Sequence, residues 1–165
     1  MNENKTVAYF AYGSNMDMEQ MRYRCPGAEF HGTAVLPDYK FALDSEGCAT
    51  VIPCKGKEVY GVLWSINRED EKALDRYEGV AAGCYGKETL KVSCEGYLSK
   101  FPVLIYVSRR GENTGERRNG YMKKIVEAAE KLGFDSSYLG MLKDIWVGYA
   151  NEDVRGQRRT SARID

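Results

Sequence analysis

Val7-Ala8-Tyr9-Phe10-Ala11-Tyr12-Gly13-Ser14-Asn15-Met16 opens as an apolar, aromatic run and ends abruptly in Tyr-Gly-Ser-Asn. The run reads as a buried strand and its end as a tight turn with a helix opening behind it. Gly13 is open to backbone angles that other residues adopt only at a cost. Ser14 and Asn15 are residues of turns and helix N-caps, whose side chains bond nearby backbone N–H groups. A strand that stops at a glycine turn and feeds a helix leaves several N–H groups pointing into one space, a cradle for an anion or an oxyanion. A strand, turn and capped helix with nothing bound is the plainer alternative.

Outward from this stretch, Met16 to Arg24 is expected to be a short helix, stopped by Cys25-Pro26-Gly27. Ala28 to Leu43 is strand-like and broken near Pro37-Asp38, with Tyr39, Phe41 and Leu43 alternating against polar or small neighbours. Ala49 to Ile52 reads as a short strand ended by Pro53, and Lys55-Gly56-Lys57 as a hairpin connection. Val59 to Ile66 is the strongest strand signal, with Gly61 inside it hinting at a close backbone approach or a bulge. Asn67 has the character of an N-cap before Arg68-Glu69-Asp70-Glu71, and Gly79 falls where a helix C-cap glycine belongs. Strands are expected again over Glu88 to Cys94 and Pro102 to Ser108, then helices over Tyr121 to Leu132 and Ser136 to Tyr149. Strands dominate the first two thirds and helices close the chain, which makes the class α+β. Many short strands require a curled sheet or a small barrel to avoid open edges. Residues 1–150 are expected to form a single domain, and 151–165, nearly devoid of apolar residues, a polar C-terminal tail carrying Arg155, Arg158, Arg159 and Arg163.

Composition narrows the chemistry. Lys plus Arg equals Asp plus Glu at 24 each in 165 residues, so the chain lacks the basic excess of a nucleic-acid binder. Its apolar runs are too short to span a bilayer, and Met1 to Lys5 lacks the pattern of a signal peptide, so a cytoplasmic location without membrane attachment is expected. Five cysteines without a Cys-x-x-Cys pair, and His31 as the sole histidine, leave a zinc site without its usual ligands; no metal and no cofactor is expected. A Ser-His-Asp or Cys-His catalyst would have to use His31, which sits in a strand-like segment with no nucleophile motif nearby. Cys84 and Cys94 have no neighbour that would activate a redox thiol. Acid–base work near neutral pH therefore falls to a carboxylate, a lysine or a tyrosine.

One carboxylate stands out. Leu74-Asp75-Arg76-Tyr77-Glu78-Gly79-Val80 puts Glu78 immediately before the helix C-cap, against the negative end of the helix dipole. Shielding from water there would raise its pKa toward the range of a general base. A solvated glutamate paired with Arg76 or Lys72 is the plainer alternative.

Together these motifs resemble the gamma-glutamylcyclotransferase-like family. Tyr9 to Met16 is similar to its opening motif, Leu74 to Val80 to its Leu-Asp-x-x-Glu-Gly-Val motif, and Val59 to Trp64 to its Val-x-Gly-Val-x-Trp strand. Ala34 to Lys40 resembles its second strand, and Tyr121, Ile125 and Gly133 sit at the spacing of its tyrosine-bearing helix. The resemblance spans roughly residues 7–135 with five motifs in order. It implies a small closed mixed β-barrel flanked by helices, in a monomer or homodimer, and a reaction in which a gamma-glutamyl amide cyclises to 5-oxoproline and releases its amine. It further implies Glu78 as catalytic acid/base, Tyr12, Gly13, Ser14 and Asn15 as the substrate-holding loop, and Tyr121 as a pocket residue. The chain departs from the family in carrying Ala128-Ala129 for Gly-Ala and Arg117-Arg118 for Pro-Ser before Tyr121. The leaving amine is open. The arginines between Arg109 and Arg118 could favour an anionic leaving group, with a solvated loop as the simpler account. A non-catalytic module binding small anions or gamma-glutamyl compounds on the same barrel is the alternative function.

Overall fold

The computed structural model describes residues 5–111 and 120–146. Its centre is a five-stranded mixed sheet in the order β2-β3-β1-β5-β4. β1 (Val7–Ala11) lies in the middle, antiparallel to β3 (Ala49–Ile66) and parallel to β5 (Phe101–Ser108). β2 (Glu29–Leu43) and β3 form one long antiparallel hairpin, and β4 (Tyr85–Val92) pairs antiparallel with β5. The helices are α1 (Met18–Arg24), α2 (Arg68–Tyr77), α3 (Tyr121–Lys131) and α4 (136–146). A buried cluster joins them; Phe10, Val59, Val62, Ile66, Leu74, Ile105 and Ile125 are all wholly shielded from solvent. Burial of each such side chain contributes about 1.5–3 kcal/mol.

Three expectations change. The first is closure. The ladder is an open five-strand sheet, and its two edges touch at one place, where Val35 pairs with Ser93 through two N–H···O bonds of 2.9 Å. The closed barrel is replaced by a curled sheet pinned at a single bridge. The second is strand length. The breaks read at Pro37-Asp38 and at Lys55-Gly56-Lys57 lie within β2 and β3. The register shifts between Pro37 and Tyr39, Asp38 takes a positive φ of 61°, and its carboxylate accepts the N–H of Gly56 (φ 81°) at 3.0 Å. Turn-type residues on facing strands produce a bulge here, not a stop. The third is the first helix: Met16 to Arg24 divides into a 3-10 turn (Ser14–Met16) and α1, because Asp17 is extended (ψ 123°) and caps α1 by accepting the Gln20 N–H at 2.7 Å.

Elsewhere local chemistry sets the elements. Asn67 accepts the Asp70 N–H at 2.9 Å while Asp70 accepts the Asn67 N–H at 3.2 Å, a reciprocal capping box that starts α2. Asp70 also accepts the Gly27 N–H, tying α2 to the end of α1. A Cβ on Gly61 would stand 2.4 Å from the Ala11 carbonyl oxygen and 2.6 Å from the Phe10 ring, so only glycine lets β3 lie this close on β1.

Candidate active site

A cavity of about 240 Å³ opens where β1 ends, β3 and β4 begin, α2 stops and α3 starts. Tyr12, Gly13, Ser14, Asn15, Glu78 and Tyr121, the six residues singled out in the sequence, all line it.

The 3-10 turn begins its own hydrogen bonding at Met16 N–H to Gly13 O, 3.1 Å, and no side chain caps it. The amides of Gly13, Ser14 and Asn15 are therefore the orphan donors of a helix start. Gly13 has φ −115°, not a left-handed angle. What requires glycine is room, since a Cβ would lie 3.1 Å from the Ala49 Cβ and 3.4 Å from the Tyr121 hydroxyl. The Asn15 side chain is buried and engaged. Its Nδ2 donates to the Tyr9 hydroxyl at 3.0 Å, and its Oδ1 accepts from Gln20 at 2.9 Å and Arg24 at 3.1 Å. Trp64 Nε1 donates to the Asn15 carbonyl at 3.2 Å, and Gln20 Nε2 to Ser14 Oγ at 2.8 Å. The Tyr12 hydroxyl donates to the Tyr106 carbonyl at 2.6 Å. The Ser14 and Asn15 side chains, which read as substrate-holding, thus also hold the turn itself.

Glu78 caps the C-terminus of α2 and is half-buried. Gly79 follows with φ 61°; its N–H reaches the Arg76 carbonyl at 3.2 Å and the Val80 N–H the Asp75 carbonyl at 3.0 Å, the two bonds of a Schellman stop. The helix thereby ends with its last carboxylate at the cavity wall. The surrounding phenols feel that charge. Burial first, then Glu78, raises the hydroxyl pKa of both Tyr9 and Tyr12; for Tyr85, burial and the neighbouring Tyr12 and Tyr121 rank ahead of Glu78. These hydroxyls stay protonated, so they act as donors and not as bases.

Sequence reasoning passed over the residue on which the tyrosines converge. The Ala49 N–H donates to the Tyr121 hydroxyl at 2.9 Å, and the Ala49 carbonyl accepts from the Tyr85 hydroxyl at 2.6 Å. The backbone of one residue at the start of β3 therefore places both rings. Tyr9, Tyr85 and Tyr106 also line the cavity. Tyr9 read as a core residue; Tyr85, seven residues past Glu78 at the head of a strand, carried a spacing signal that went unused. His31 lies on an exposed stretch, 3.8 Å from Glu29, and is not part of the cavity wall. Cys48 and Cys84 line it as free thiols.

Two guanidiniums line the cavity. Arg24 bonds Asn15 and lies 4.4 Å over the Tyr77 ring. Arg110 lies 5.3 Å over the Tyr85 ring, with Nε on Asp44 at 2.9 Å and Nη1 on Glu46 at 3.0 Å. Asp44, buried, also accepts from the Glu46 and Cys48 N–H groups at 3.0 Å each and from the Ser108 hydroxyl at 2.7 Å. Burial alone would raise its pKa; the bonds from Ser108, Cys48, Arg110 and Glu46 outweigh it and hold the carboxyl below the usual value. Arg117, Arg118 and the 151–165 tail lie outside the described residues. Among the described residues no cluster of three or more His, Cys, Asp or Glu could hold a metal ion, and no helix is long and apolar enough to cross a membrane.

Comparisons with known proteins bear on the family and the fold. A model described as the AIG2-like family matches residues 58–142. A Mus musculus protein named gamma-glutamylcyclotransferase is 33% identical over 154 residues, covering 87% of this chain and 80% of its own length. A Homo sapiens protein of the same name is 32% identical over 167 residues, covering 92% and 87%. A solved structure named gamma-glutamyl cyclotransferase superposes with a TM-score of 0.75 at 29% identity, covering 84% of this chain and 87% of its own.

Proposed function

The chain belongs to the gamma-glutamylcyclotransferase-like, AIG2-like family of enzymes, and from that premise we propose that it converts a gamma-glutamyl amide to 5-oxoproline and a free amine, with Glu78 as general acid/base. The observation that carries this reading is that Glu78 and the Gly13, Ser14 and Asn15 turn line one small cavity. The reaction is intramolecular, so the main task is to fold the substrate chain back on itself, and alignment of this kind is worth several kcal/mol of barrier, up to about 7–11. Glu78 removes a proton from the α-ammonium. The freed amine attacks the γ-carbonyl carbon, the new C–N bond closes the ring, and negative charge builds on the carbonyl oxygen. The oxyanion then re-forms the carbonyl, and the old C–N bond breaks as the protonated Glu78 returns its proton to the departing nitrogen. The regenerated Glu78 carboxylate takes the second proton of the ring nitrogen and passes it to the released amine, which leaves as the ammonium. The Gly13–Asn15 amides supply donors for a substrate oxyanion. Tyr12, Tyr85 and Tyr121 hold the wall through the Tyr106 carbonyl and the Ala49 backbone.

Glu78→Gln preserves size and the helix stop while removing the base. Release of 5-oxoproline, followed by mass spectrometry across a panel of gamma-glutamyl compounds, should fall by about 10²–10⁴-fold, with the unfolding midpoint close to that of the parent. Near-parental release by this variant would falsify the assignment.

A further inference from the structure

We propose that Arg110 is a specificity-determining residue of this site: its guanidinium binds the carboxylate of a leaving amino acid, so that gamma-glutamyl amino acids are cyclised in preference to gamma-glutamyl amines. The inference rests on the cyclotransferase reading above.

Arg110 is built into the cavity wall. Its Cζ lies 5.3 Å from the centre of the Tyr85 ring, the same ring whose hydroxyl the Ala49 carbonyl holds. Asp44 and Glu46 take Nε and Nη1, while Nη2 and both its N–H groups make no hydrogen bond among the described residues. Those N–H groups are charge-assisted donors for a carboxylate, and the two ion pairs already hold the side chain in place.

The two acidic partners leave that positive charge usable. Asp44 divides its charge among several donors, which among the described residues include two backbone N–H groups, the Ser108 hydroxyl and Arg110 itself. The Glu46 side chain is 58% exposed, so its charge is screened by solvent. That exposure also marks where the cavity meets water, which is where a departing amino acid must leave. Asp44 is the positioning residue of the pair: it fixes the Arg110 Nε and, through Cys48 N–H, the turn that delivers Ala49.

The test compares γ-glutamyl-alanine with γ-glutamyl-ethylamine, which differ only in the leaving carboxylate. The α-carboxylate is common to both, so the ratio of their kcat/KM values for 5-oxoproline formation reads the leaving group alone. The parent protein should prefer γ-glutamyl-alanine by about tenfold or more, the yield of one charge-assisted contact, expressed in KM. Arg110→Met should bring the ratio toward one, and Arg110→Lys should keep part of the preference. Because Arg110→Met strands a buried carboxylate, Asp44→Asn/Arg110→Met serves as the folded control and should show the same loss of preference. A parental ratio near one overturns the proposal. So does a variant that loses activity on both substrates with the ratio intact, since Arg110 would then only shape the wall. If the parent protein cyclises no gamma-glutamyl compound, the cyclotransferase reading itself fails and takes this inference with it, a result seen without any variant.

Discussion

The turn at Gly13–Met16 and the turn at Glu78–Val80 line the same cavity, yet they are built on opposite plans. In the first, every polar side chain faces inward: Asn15 is shared among Tyr9, Gln20 and Arg24, and Ser14 holds Gln20. In the second, the helix end is fixed by the two backbone bonds of the Schellman stop, which set Glu78 at the cavity wall. Glycine serves the first turn by being small and the second by taking φ 61°. A site that needs both fixed dipoles and a mobile proton can divide them in this way, because a rigid donor array and a titrating carboxylate make different demands on their supports.

The largest effect that would sharpen this contrast is at Asn15. Asn15→Ala strands the buried Tyr9 hydroxyl and frees Gln20 and Arg24 together, so chemical denaturation should show a loss of up to about 3 kcal/mol. A loss near zero would mean that the turn does not depend on its side chains. Gly79→Ala comes next. A left-handed alanine costs about 1–2 kcal/mol, and its Cβ would meet both the Cβ and the Sγ of Cys84 at 3.1 Å; Gly79→Ala/Cys84→Gly should relieve the contact but not the angle. Gly13→Ala should be the mildest at about 1 kcal/mol, with activity lost beyond what stability explains and partly restored by Ala49→Gly, which returns the room. If Gly79→Ala were no more costly than Gly13→Ala, the distinction between angle and room would collapse.

Much of this was legible in the chain itself. The Asn67 capping box, the Gly79 stop and the close approach at Gly61 follow from a few adjacent residues, because their causes are local. The long hairpin was misread because the meaning of Pro37-Asp38 depends on Gly56 across the ladder, and a single strand does not display its partner. Closure failed for the same reason: Val35 and Ser93 are 58 residues apart. In the site, the six residues were readable as a set, but the division of labour was not. Whether Asn15 faces a ligand or Tyr9 is decided by what packs behind it. Ala49 carries no chemical signal at all, since it contributes its backbone N–H and C=O, one to each of two phenols.

The bridge between Val35 and Ser93 also bears on how this molecule behaves in company. An open sheet offers two rows of unpaired backbone groups on which a second chain could grow. Here the edges are spoiled along their length as well as pinned together at one point. β2 is bent at Gly32, where the register slips between Phe30 and Thr33, and again at Asp38. β4 exposes Lys87, Glu88 and Lys91 in quick succession. Bulges and charges of this kind deny an incoming strand a flat, continuous template, so an incompletely closed sheet can stay free of edge-to-edge aggregation.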